Sequence, residues 1–81
     1  MARLWIGNIP PKTTEAELKE LLTKYGGAEF TAMESVPGDG SRPAAILTFG
    51  DDIPAGALQP MVDRLHGINW KGRDLVVQVV H

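Results

Sequence analysis

Leu4-Trp5-Ile6-Gly7-Asn8-Ile9 alternates large side chains along a short apolar run and then meets Pro10-Pro11. Period-two alternation that stops at a Gly-Asn-Ile-Pro-Pro turn predicts a strand over Arg3 to Gly7. Successive side chains of a strand point to opposite faces. Leu4 and Ile6 are therefore expected to face a core, with Arg3, Trp5 and Gly7 on the other side. Asn8 falls at the strand end, where the chain turns over the sheet edge.

Working outward, Thr14 with Glu17 three residues later has the form of a capping box. Ala16, Leu18, Leu21, Leu22 and Tyr25 follow at helical spacing, and Gly26-Gly27 would stop that helix. Glu15, Glu17 and Glu20, interleaved with Lys19 and Lys24, read as its solvated side. Glu29 to Val36 predicts a second strand, Pro37 to Ser41 a loop of turn formers, and Pro43 to Phe49 a third strand. Asp51-Asp52 reads as turn and helix-cap chemistry. Leu58, Met61, Val62 and Leu65 keep the i, i+3, i+4, i+7 spacing of a second helix. It either starts near Pro54 and bends at Pro60, or starts late with Pro60 in its first turn. His66-Gly67 ends it, and Asp74 to Val80 is a β-branched run that predicts the last strand.

The expected fold is α+β, a ferredoxin-like βαββαβ sandwich: a four-stranded antiparallel sheet with two helices on one face. Right-handed crossovers put both helices on the same side. The other side of the sheet is left open, and function is expected there. In the third strand Ala45, Leu47 and Phe49 would face the core, leaving Ala44, Ile46 and Thr48 outside. In the last, Leu75, Val77 and Val79 would face inward, leaving Val76, Gln78 and Val80 outside.

Over nearly its whole length the chain resembles the RNA-recognition-motif family. The family's first-strand signature is aliphatic, aromatic, aliphatic, any residue, Asn, aliphatic, and residues 4–9 match it throughout. Pro10, the Thr-x-x-Glu helix start, Leu65-His66-Gly67 and Gly72-Arg73-Asp74-Leu75-Val76-Val77 are similar to further family features. The third-strand signature departs from the pattern. In Arg42-Pro43-Ala44-Ala45-Ile46-Leu47-Thr48-Phe49, Pro43 replaces a glycine, and Ala44 and Ile46 replace two outward aromatics. The core positions survive, so the resemblance supports the fold more firmly than strong binding. It also implies a register for the second strand, with Thr31 and Met33 in the core and Phe30, Ala32 and Glu34 outside.

The resemblance implies single-stranded RNA as partner. Trp5 would be a stacking platform, Ala44, Ile46 and Val76 apolar contacts, Thr48 and Gln78 hydrogen-bonding groups, Arg3 and Arg42 phosphate contacts, and Asn8 a rim contact. Phe30 and Trp70 are additional contacts on this reading, although Trp70 aligns with a packing position in a short hairpin. Each stacked base is worth roughly 1–3 kcal/mol. With two platforms missing, binding is expected to be micromolar or weaker, with little sequence discrimination.

Composition bounds the alternatives. The chain has 81 residues, 43% of them hydrophobic, so one domain over 1–81 is expected, with no linker or tail. A monomer is assumed. The net charge is -2 and the pI about 5.5, which argues against a strong polyanion binder. The absence of cysteine excludes disulfides and thiolate metal sites and fits a reducing, cytoplasmic setting. No apolar run is long enough to span a membrane as a helix. His66 and His81 are too far apart in sequence to suggest a chelating pair, and no cofactor is expected. Acyl-phosphate hydrolysis on this fold needs a phosphate-cradling loop. The prolines after the first strand lack the amide donors for one, so an enzyme is not expected. The remaining alternative is a protein-interaction module that uses the aliphatic open face. One branch of the relatives that bind peptides carries an Arg-x-Phe motif just after Leu-x-Gly. Here Ile68-Asn69-Trp70 has the aromatic but lacks the arginine, which argues against peptide binding of that type.

Overall fold

The computed structural model describes residues 2–25, 29–36 and 43–80. Its elements are β1 (Arg3–Gly7), α1 (Glu15–Lys24), β2 (Phe30–Val36), β3 (Ala44–Phe49), α2 (Ala55–Leu65), the two-residue strands β4 (Asn69–Trp70) and β5 (Arg73–Asp74), and β6 (Val76–Val80). The principal sheet is antiparallel with order β2-β3-β1-β6. Each strand-helix-strand unit therefore steps over one intervening strand, and the helices pack against a single face. Their buried residues, among them Leu18, Leu22, Leu58 and Leu65, share one core with Leu4, Ile6, Ala45, Leu47, Phe49, Leu75 and Val77. This is the ferredoxin-like α+β sandwich that the sequence pattern predicts.

Local chemistry explains the element ends. The Thr14 hydroxyl accepts from the Glu17 amide at 3.2 Å, and the Glu17 carboxylate accepts from the Thr14 amide at 2.9 Å. Two donors that the first helical turn leaves without helical partners are satisfied in this way. The second helix has no such side-chain cap. Pro54 occupies the N-cap position, and Asp51 and Asp52 belong to the preceding turn, so the capping role expected for those aspartates is not realised. Pro60 lies inside α2, its sixth residue, where its missing N–H leaves the Gly56 carbonyl without its usual helical donor. The expected Gly26-Gly27 stop and the Pro37–Ser41 loop lie outside the described residues.

The last predicted strand is divided. Arg73 and Asp74 pair with Trp70 and Asn69 in a small hairpin, and the sheet strand begins at Val76. Lys71 and Gly72 both have positive φ, 53° and 82°, which gives this two-residue turn the left-handed backbone that suits the twist of its strands.

Candidate nucleic-acid interface

Cross-strand pairing sorts the uncovered face into three rows. One row is Ala32, Thr48, Arg3 and Val80; the next is Glu34, Ile46, Trp5 and Gln78; the third is Val36, Ala44, Gly7 and Val76. Trp5 thus stands between Ile46 and Gln78 on the side of the sheet away from the helices. Its indole leans along its own strand. A Cβ built on Gly7 would overlap the Trp5 ring atoms Cη2, Cζ3 and Cζ2. The missing side chain at position 7 is what allows the benzene half of the indole to lie close to the sheet. Trp5 is half-buried, supported beneath by backbone and open to solvent elsewhere.

Arg3 and Gln78 are exposed on this face, and Ile46, Thr48 and Val76 are half-buried, all at the positions strand alternation assigns. Ala44 is different. Its pairing with Gly7 and Val36 places it on the open face, but it is buried. The Ala44 methyl therefore offers little contact surface. Arg42 lies outside the described residues.

Asn8 is at the sheet rim, where its side-chain amide donates to the Asp74 carbonyl at 2.9 Å. Its backbone φ is +59°, a conformation asparagine tolerates better than most residues. The Asn8 donor is therefore committed to tying the end of β1 to the hairpin strand β5.

Neither of the two additional contacts stands on the open face. Phe30 does not face outward. The pairing runs Phe30 with Phe49 and then Ala32 with Thr48, so the register shifts by one residue between positions 30 and 32. Such an extra residue reverses the side-chain sense on either side of it. Phe30 is thereby turned into the core at 4% exposure and meets Phe49 edge-on, centroids 6.5 Å apart and planes at 80°. The same shift exposes Thr31, expected in the core, and its hydroxyl donates to the Thr48 carbonyl at 3.1 Å. Met33, Ala32 and Glu34 keep their expected faces. One sequence signal could have revealed the shift. Phe30 and Met33 are three residues apart, so both can face the core only if an extra residue intervenes.

Trp70, for which packing in a short hairpin was the other expectation, takes that packing place. It packs against the core on the helix side and borders a groove of about 310 Å³ lined also by Leu21, Lys24 and Tyr25. Lys71 Nζ lies 4.9 Å from its ring centroid and pairs with Glu17, the capping-box residue of α1. Trp70 therefore fastens the β4–β5 hairpin to α1 and is not part of the open-face rows that hold Trp5. Among the described residues no group of His, Asp and Glu is arranged to hold a metal ion, and no helix is long and apolar enough to cross a membrane.

An antiparallel βαββαβ sheet with an aromatic residue on its open face defines a class, and comparison with known proteins identifies the family. The model described as RNA recognition motif matches residues 4–76, and the chain belongs to that family. No curated protein matches it closely enough to be assigned as a relative. Among solved structures, the third RNA recognition motif of Pes4 superposes with a TM-score of 0.78 at 16% identity, covering all of this chain and 93% of that one. The three N-terminal RNA-binding domains of the yeast splicing factor Prp24 give 0.77 at 23% identity, covering 98% of this chain and 32% of that one. The Rna15 motif with bound RNA (GU) gives 0.67 at 20% identity, covering 94% and 79%. At these identities the likeness is one of fold.

Proposed function

We propose that this chain binds single-stranded RNA on the open face of its sheet, with one unpaired base stacked on Trp5. The observation that carries this reading is the position of the indole, supported by Gly7 and flanked by Ile46 and Gln78. Unpaired bases expose π-faces that an aromatic side chain can cover, and stacking of this kind tolerates any base. Membership of the family supports the same reading, as does the RNA bound in the Rna15 structure. Arg3, one row from Trp5, supplies a positive charge for a phosphate. The face has one aromatic platform, and the chain carries a net charge of -2. Affinity is accordingly micromolar or weaker, and overall sequence specificity is low.

The half-buried aliphatic residues Val36, Ile46, Val76 and Val80 favour a second reading, a protein partner seated on the same face. An amide chemical-shift titration with a pool of short RNA oligonucleotides separates the two. On the RNA reading the indole N–H signal of Trp5 moves together with the amides of Ile46 and Gln78, while that of Trp70 stays in place. Static signals across the open face at millimolar RNA would rule RNA out as its ligand.

A further inference from the structure

Among the described residues the open face carries two charged side chains, Arg3 and Glu34. Glu34 is exposed and shares a row with Trp5, with the width of one strand, that of Ile46, between them. Neighbouring strands are about 4.8 Å apart, so the carboxylate is rooted roughly 10 Å from the root of the indole. The Lys19–Glu15 and Lys71–Glu17 ion pairs lie on the helical side and do not engage it. A fixed negative charge beside a polyanion's path is unfavourable unless the ligand brings donors to it.

An ionised carboxylate only accepts hydrogen bonds, and its two oxygens can receive a parallel pair of donors. Guanine offers such a pair, the N1–H and the N2 amino group on its Watson–Crick edge. Cytosine and adenine offer an exocyclic amino group next to an acceptor. Uracil offers one imino donor between two carbonyl oxygens, which would face the carboxylate unfavourably. Resting on the RNA reading above, we propose that Glu34 selects the base seated over Ile46, next to the one stacked on Trp5, favouring guanine and rejecting uracil. Stacking leaves the rest of the strand unspecified, so discrimination is confined to this one position.

The test titrates the whole chain with fluorescently labelled hexauridylate and with three hexamers that each carry one G, C or A among uridines. A bidentate contact to a base is worth roughly a five- to hundredfold preference. The guanine hexamer is expected to bind at least fivefold more tightly than hexauridylate, with cytosine and adenine between. In Glu34→Gln, whose side chain can both donate and accept, the ratio should fall below twofold and binding of hexauridylate should tighten. The substitution is isosteric on an exposed position, and an unchanged amide spectrum checks that the fold is kept. A wild-type ratio below fivefold, or a ratio that survives Glu34→Gln, overturns the selection by Glu34 and leaves RNA binding standing. If no hexamer binds at all, the RNA reading falls and this inference falls with it.

Discussion

Trp5 rests over Gly7, two residues further along the same strand, and its benzene ring fills the space a side chain at position 7 would take. The platform and the gap beneath it are thus a pair. A ring pressed close to the sheet presents its outer surface at a fixed height, whereas a ring lifted from it would have no support.

Gly7→Ala tests that pairing. The new methyl cannot coexist with the observed ring position, so the indole must swing aside. Stability should change by less than about 1 kcal/mol, because alanine also restricts the unfolded chain in a strand conformation it can adopt. RNA affinity should nevertheless fall several-fold. In a double-mutant cycle with Trp5→Ala the losses should not add, since both substitutions remove one platform. Equilibrium binding of all four variants is the check.

Phe30→Ala should behave in the opposite way. The side chain is core-facing against Phe49, and truncating a buried phenylalanine costs about 3–5 kcal/mol. A domain of this size has about 4–12 kcal/mol of stability in total, so the variant should be marginal. Urea denaturation measures this directly. A loss below about 1 kcal/mol would instead place the ring on the open face.

Asn8 combines a left-handed backbone with a bond to the Asp74 carbonyl, and two substitutions separate these roles. Asn8→Gly keeps the backbone conformation accessible and loses the hydrogen bond, at about 1 kcal/mol. Asn8→Ala loses the bond and adds roughly 1–2 kcal/mol of strain. Thermal unfolding should therefore rank wild type above glycine and glycine above alanine.

The fold was legible because its signals are local and periodic. The alternation at residues 3–7, the Thr14–Glu17 box and the helical spacing of Leu18, Leu21 and Leu22 all depend on near neighbours. Strand alternation likewise predicts the sides on which Trp5, Ile46, Thr48 and Gln78 lie. What escaped depends on pairing between distant segments. The register shift that buries Phe30 is fixed by contact with Phe49. The engagement of Asn8 depends on Asp74, 66 residues away, and the attachment of Trp70 depends on Lys71 reaching Glu17 of α1. The lean of Trp5 over Gly7 and the burial of Ala44 on the open face are likewise encoded by no pattern of residue types. Glu34 was expected on the open face, but its place in the row of Trp5 and Gln78 emerges from the pairing.

Trp5→Ala, assayed by equilibrium binding to a labelled single-stranded RNA, addresses the central claim most directly. Loss of one stacked base, roughly 1–3 kcal/mol, corresponds to a five- to hundredfold weaker affinity, with the domain still folded by its amide spectrum. An affinity within twofold of wild type, in a folded variant, would contradict base stacking on the open sheet face.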